Sequence, residues 1–393
     1  MNNLLKNVKH YYLNKEVQYY GLLISFLVYT QITLHAWSDS IIPFVNVVID
    51  ICYVVFTVFF IPYVIRFVQP FKKNYKVIVL VIVALIISAC VYRATGQKLI
   101  FFFFLIAILS YKQDFTRIAK TLLVIKLIDL FISIIGVYCH FTLDFLKGGI
   151  GHSMGYFYAN TFGLEVMTIV LLIWYLYLKN RNVLAVIFIL AVSIPMYILS
   201  YCLTGFIVEV LLVLFVVAKM LWSFFRSRFE SLRETSFSDI LRTNKLLRFT
   251  VIAAPFVFCL ISIICSVYYQ SIFTGNVFPI KHTFFIRFSI GQTVISETGF
   301  SLFGKRAGIA VDNFYLYVLI EFGVIVGTAI MVWMSLVIKK CIDYRNTSLL
   351  IISLLFLFVG LMEANAFFIN ENFTLLYVLA ADSILLNDSQ SIA

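Results

Sequence analysis

Charge is what this sequence has least of. Asp, Glu, Lys and Arg make up 12% of its 393 residues, about half of the ~25% found in ordinary soluble domains. Such a chain cannot clothe a globular surface in water. Several signatures of nucleotide and metal chemistry are also missing: there is no Walker phosphate loop, no His-Glu-x-x-His pair, and no Asp-x-Asp-like pair for a nucleotide sugar and its metal. ATP-driven work is therefore not expected, and neither a metal nor a cofactor is expected. Cysteine occurs seven times, but never as Cys-x-x-Cys and never with zinc-like histidine spacing. Most of the cysteines (Cys52, Cys90, Cys139, Cys202, Cys259, Cys265) lie in apolar runs and read as core residues without disulfides. Residues 1–16 carry Lys6, Lys9 and Lys15 but no short apolar stretch closed by a small-residue cleavage site, so the first helix is expected to serve as its own insertion signal. No internal repeat of the kind that builds inverted-repeat transporters stands out.

What is there is apolar: 62% hydrophobic residues, 17% aromatics and a mean hydropathy of +1.01. A span needs roughly 20 apolar residues to cross ~30 Å of hydrocarbon. The apolar runs at 20–37, 42–65, 77–92, 98–111, 118–139, 158–178, 183–199, 201–221, 248–268, 313–337, 348–362 and 371–387 predict an all-α polytopic integral membrane protein. Residues 1–393 form one transmembrane domain of about twelve helices, with a long loop at 269–312 between helices nine and ten. Of the 30 Lys and Arg, about 22 fall on one set of loops and termini and about seven on the other, a positive-inside bias that places both termini in the cytoplasm. The net charge of +11 is then explained by topology and anionic lipid headgroups, and nucleic acid is not needed as a partner.

The basic residues against this bias are Arg93, Lys98, Lys147, Lys281, Arg287, Lys305 and Arg306. An outward Arg works against the insertion rule, so retention for chemistry weighs beside simple tolerance. The loop at 139–160, "CHFTLDFLKGGIGHSMGYFYAN", is too glycine-rich and polar for a lipid-facing helix and suits a partly re-entrant loop along a wet cavity, with His152 at its centre. In the long loop, "FFIRFSIGQTVI" alternates at helical spacing and predicts an amphipathic interfacial helix presenting Arg287 and Gln292. Arg287 is the favoured anion clamp, since a guanidinium pairs bidentately with phosphate oxygens.

Asp312 and Asn313 open the next helix, where capping is the competing role. Glu321, more than a turn further in, must face the bundle or a wet cavity. Glu363 with Asn365, Asn370, Glu371 and Asn372 makes another polar cluster. Lys126 and Asp129, three apart on one helix, predict a mutual ion pair of structural purpose. Glu165 and Glu209 are buried polar residues with no partner legible in the sequence.

Taken in order, these landmarks resemble the Wzy-type polysaccharide polymerases of bacterial O-antigen and capsule assembly. "GHSMGYFYANTFG" is similar to that superfamily's His-Ser-x-Gly-Phe-x-x-x-Asn segment, through His152, Ser153, Gly155 and Asn160. "LTGFIVEVLL" matches a Ser-Arg-Thr-Gly helix start at Thr204 and Gly205, with Leu203 where the Arg is usual. "IRFSIGQTVISETGFSLFGKR" resembles a loop with a leading Arg and a trailing Leu-Phe-Gly (Arg287, Leu302, Phe303, Gly304). "VDNFYLYVLIEFGVI" resembles the Asp-Asn-x-Tyr run (Asp312, Asn313, Tyr315, Gly323), and "MEANAFFINENF" the closing Glu…Asn-x-Phe pattern (Glu363, Asn372).

The resemblance implies a metal-independent glycosyltransferase that joins undecaprenyl-diphosphate-linked oligosaccharide repeat units on the outer face of the bacterial cytoplasmic membrane. Membrane lipid surrounds such an enzyme, and a flippase and a chain-length regulator are the partners its assembly line implies. His152, Arg287, Asp312 and Glu363 are the expected catalytic residues. Arg93, Lys281, His282, Arg306, Asn160, Asn313, Tyr315 and Asn372 are the expected substrate-binding ones. An O-antigen ligase of the same superfamily and a flippase or transporter of the same lipid-linked sugars are the alternatives.

Overall fold

The structure is a computed structural model and describes residues 14–71, 75–96, 99–147, 151–228, 237–274 and 283–380. Fifteen helices are named here: α1 (Lys15–Ile32), α2 (Ile42–Phe71), α3 (Tyr75–Thr95), α4 (Leu99–Leu109), α5 (Phe115–Tyr138), α6 (Ala159–Ile173), α7 (Asn182–Ser200), α8 (Leu203–Arg228), α9 (Phe237–Thr243), α10 (Lys245–Val267), α11 (Thr283–Thr298), α12 (Phe314–Glu321), α13 (Gly323–Asp343) and α14 (Thr347–Met362), with a π-helical turn, Trp174–Leu178, continuing α6 as the fifteenth. The one sheet among the described residues is a two-stranded hairpin, β1 (Leu146–Lys147) and β2 (Gly151–His152).

Among the described residues, seven helical segments are long and apolar enough to cross a membrane: Ile42–Tyr63, Phe115–Tyr138, Ala159–Leu178, Asn182–Ser200, Leu203–Phe224, Lys245–Val267 and Gly323–Asp343. Their sequences dictate this, because inside hydrocarbon every backbone group must be satisfied within the segment. The protein is an all-α membrane-embedded bundle. Helix α2 leaves Phe44, Val47, Ile51, Val54 and Ile61 exposed, which suits a lipid-facing surface. Helix α6 is the most enclosed of the seven and packs against α5, α7 and α8.

Other hydropathy-derived spans take different forms. The run at 98–111 is the 11-residue α4, about 16 Å long at 1.5 Å per residue and too short to cross alone. The run at 20–37 is helical only to Ile32; Ala36 then donates its N–H to Gly155 at 2.9 Å, and His35 and Trp37 bridge to Tyr156 and Thr142. The described part of 371–387 is not an α-helix: Phe373–Val378 forms a buried 3₁₀ turn. Its carbonyls are met by side chains instead. Lys340 Nζ donates to Tyr377, Val378 and Ala380, and Trp333 Nε1 to Leu375.

The run at 313–337 is two helices, α12 and α13, broken at Phe322. Loop 301–307 docks into the break: Lys305 N–H reaches the Ile320 carbonyl at 2.8 Å, Val324 N–H the Ser301 carbonyl at 2.9 Å, and Ala307 N–H the Glu321 carboxylate at 2.8 Å. Gly304 (φ 88) and Gly323 (φ 86) sit back to back here, and a Cβ on either would collide with the other's backbone neighbourhood. Glu321 therefore serves as an acceptor for this loop rather than facing an open cavity.

The expected Lys126–Asp129 pair is replaced by two separate partnerships. Lys126 Nζ lies 2.5 Å from Glu165 and 3.6 Å from Glu371. Asp129 accepts from His35 Nε2 at 2.8 Å and from the Tyr156 hydroxyl at 2.9 Å. Opposite charges brought in from α6 and from the segment after α14 reach Lys126 head-on, a geometry its own helix neighbour three residues away does not offer.

Candidate functional site

The loops at one end of the bundle are drawn together by short polar contacts. The α7–α8 turn is tight: Tyr201 is left-handed (φ 50), Cys202 Sγ points at the Asn160 carbonyl at 3.6 Å, and Gly163 on α6 has no room for a Cβ beside Cys202. This packing fixes the start of α8. Thr204, its second residue, donates to Glu363 Oε1 at 3.0 Å. Arg287, on α11, donates from Nη2 to the same oxygen at 2.8 Å.

The two charged side chains are only 12% and 10% exposed. Arg287 Nη1 is buried and has no hydrogen-bond partner among the described residues, an uncommon state for a guanidinium nitrogen. Beyond the end of α14, burial pushes the Glu363 carboxyl up, and the Arg287 guanidinium pulls against that shift; Asp312, close enough to be felt, adds to it. Helix α11 is held in place by aromatic packing, with Phe288 stacked on Phe273 at 5.8 Å, and by Gly291 lying tight against Leu316 and Ser266.

The second cluster is in the hairpin. Residues 141–143 and 155–157 are strapped to the α1–α2 connection by main-chain bonds, and Gly155 (φ 89) makes the final turn where a Cβ would stand 2.6 Å from Thr142 Oγ1. The hairpin register pairs Leu146 with His152, which carries His152 back beside Asp144. His152 Nδ1 and Asp144 Oδ2 are 2.6 Å apart, and the other Asp144 oxygen accepts from the Met154 N–H at 2.8 Å. A carboxylate on Nδ1 fixes the tautomer and leaves Nε2, on a side chain that is 41% exposed, as the basic nitrogen. Strand β2 packs on α7, whose C-terminal end leads to Thr204, so the two clusters share one end of the bundle.

Asp144 was not legible as a site residue; the pairing of Leu146 with His152 is what brings its carboxylate beside the imidazole. The string Gly151-His152-Ser153-Met154-Gly155 also has nucleophile-elbow spacing. Ser153, however, is fully buried, accepts from the Phe145 N–H at 2.8 Å and sits in a hairpin rather than a strand–turn–helix. It has no nucleophile's geometry.

Of the expected substrate contacts, three are committed internally. Asn313 caps α12, accepts from Ser262 at 2.7 Å and donates to the Leu361 carbonyl at 3.0 Å. Tyr315 is buried with its hydroxyl on the Leu357 carbonyl at 2.8 Å, and Asn372 bonds the Ala366 carbonyl and Thr374. Each of these three side chains is engaged in bonds within the chain. Asn160 opens α6 half-buried, Asp312 is half-buried beside Glu363, and Arg93 and Arg306 are exposed. Lys281 and His282 lie outside the described residues.

No group of His, Cys, Asp and Glu with metal-holding geometry occurs among the described residues. No family model matches the chain, and no curated protein or solved structure matches it significantly.

Proposed function

We propose that the protein is a polymerase that joins lipid-diphosphate-linked oligosaccharide repeat units at the outer face of a bacterial cytoplasmic membrane, through about twelve passages of the chain with both termini inside. The observation that carries this reading is Arg287, a largely buried guanidinium with one nitrogen paired to Glu363 and the other unclaimed. An anionic diphosphate accepts from such a nitrogen, and bidentately once the guanidinium exchanges Glu363 for it. The His152–Asp144 pair at the same end of the bundle supports it, since an acceptor sugar needs a base.

In the proposed step, an acceptor hydroxyl oxygen forms a bond to the donor's anomeric carbon as the bond from that carbon to the diphosphate oxygen breaks. The electron pair leaves with the lipid diphosphate, stabilised by Arg287. The hydroxyl proton passes to His152 Nε2, and Asp144 stabilises the imidazolium. Glu363, itself held by Thr204, positions Arg287 before substrate arrives, and the guanidinium exchanges this carboxylate for the incoming diphosphate.

The deciding experiment is deletion of the gene in its host, with gel separation of surface polysaccharide and lipid-linked intermediates. Single lipid-linked repeats outside and loss of long chains is the expected result. Accumulation of that repeat on the cytoplasmic face points to a flippase, intact long chains left untransferred to their final acceptor point to a ligase, and unchanged glycans refute the reading.

A further inference from the structure

Polarity along residues 141–146 runs the wrong way for a loop in water. Phe141, Leu143 and Phe145 are 48%, 44% and 47% exposed, whereas Thr142 between them is buried and Asp144 turns in to His152. A strand with water on one side puts its polar residues there. Apolar residues outward and polar residues inward is the arrangement of strands bordered by lipid. Leu146, which ends the run, is exposed as well.

The loop also sits low on the bundle. Helix α5 has 24 residues, roughly 36 Å at 1.5 Å per residue, against ~30 Å of hydrocarbon, so its end at Tyr138 only just clears the acyl chains. From there the chain turns back. Phe141 and Thr142 both donate their N–H to the Gly136 carbonyl, at 2.7 and 3.1 Å, and a Cβ on Gly136 would stand 2.8 Å from Thr142 Oγ1. The Ser133 hydroxyl donates to the Met154 carbonyl. Ser133 is five residues before Tyr138, about 7 Å back along the helix. The loop is therefore docked beside the last two turns of α5, at the level where headgroups give way to acyl chains. Its neighbours face lipid. On α5, Val124, Ile128, Phe131, Ile135 and Tyr138 form one exposed apolar stripe that leads to the loop. On the other side, Ser38 N–H donates to the Phe141 carbonyl at 2.9 Å and Leu143 N–H to the Ala36 carbonyl at 2.8 Å. These bonds tie the loop to the chain entering α2, whose first turns expose Phe44 and Val47.

We propose that the outward face of residues 141–146 is seated in the bilayer, with Leu143 and Phe145 among the upper acyl chains of phospholipid, so that the His152–Asp144 pair is held at the membrane surface. Apolar exposure continuous with two lipid-facing helices selects lipid as the occupant. A ligand that reaches His152 then does so along the bilayer surface. The assignment concerns where the loop sits, and it holds whether or not His152 is the base of the reaction proposed above.

Photo-crosslinking of the full-length protein in vesicles of phosphatidylethanolamine and phosphatidylglycerol tests this. The photoreactive amino acid p-benzoylphenylalanine replaces Phe145 in one variant and Leu143 in a second, with the same label at the exposed Phe44 of α2 as the positive control and at the buried Phe115 of α5 as the negative one. Both side chains to be replaced in the loop are exposed, so the label has room. After illumination, mass spectrometry is expected to find one phospholipid added at 143 and at 145, as at 44, joined through its glycerol or upper acyl carbons. An adduct with a second copy of the chain, or with another peptide of the same chain, overturns the proposal by naming a different occupant. Absence of any adduct at both loop positions, with the control at 44 labelled, overturns it in favour of water. Attachment at the methyl ends of the acyl chains overturns the depth assigned to the loop.

Discussion

Arg287 and Glu363 meet at 2.8 Å from two elements 76 residues apart in sequence, with Thr204 donating to the same carboxylate oxygen. Removing one partner of a largely buried pair strands the other charge, which costs on the order of 3 kcal/mol. Arg287→Ala should therefore lower both stability and polymer formation, whereas Arg287→Lys, which keeps the charge but not the planar fork, should retain the fold and lose most polymer. Melting curves beside polysaccharide gels check this. Near-normal polymer in Arg287→Lys would rule out bidentate binding.

Asp144→Asn preserves shape but no longer holds the His152 tautomer. Polymerisation should fall by roughly 10²-fold or more, as expected when an orienting carboxylate is lost from a general base, with membrane levels unchanged. His152→Ala should be no worse in combination with Asp144→Asn than alone, since the two act as one unit. Additive losses, measured as polymer formed per enzyme, would separate them.

Gly304 and Gly323 interlock loop 301–307 with the break between α12 and α13. Alanine at either position meets backbone in a left-handed conformation and should cost about 2 kcal/mol or more. Gly308→Ala, with open space around its Cβ, should be neutral. Thermal stability of the three variants in detergent decides it, and equal effects would remove the interlock as their cause.

Lys126→Met leaves Glu165 and Glu371 buried without their cation and should cost about 3–5 kcal/mol. Adding Glu165→Gln should recover part of that loss. A double variant no more stable than the single one, by the same melting assay, would contradict the pairing.

The helical, membrane-embedded character was legible because apolar runs report their solvent directly. Helix α11 with its Arg287 was legible too, since "FFIRFSIGQTVI" alternates at helical spacing. Partner choice was not. Lys126 had an acid three residues away on its own helix, but tertiary packing delivered two from elsewhere, and nothing local to Glu165 or Glu371 announces that. The break at Phe322 was hidden because a continuous apolar run reads as one helix whether or not a loop has inserted. Asn313, Tyr315 and Asn372 were legible only as polar residues; that each bonds a carbonyl of its own chain comes from tertiary packing.

The segment after α14 crosses the interior without being an α-helix, and its carbonyls depend on Lys340 and Trp333 of α13 and on the Lys112 N–H. Such a stretch has no partition of its own into lipid, because its peptide groups would enter undressed. It can be threaded only into a slot already built by α13, α14 and the start of α5. Biogenesis of this protein therefore has an obligatory order, in which the helices insert first and the segment is laid down last, and a translocon reading hydrophobicity one stretch at a time would not suffice to place it.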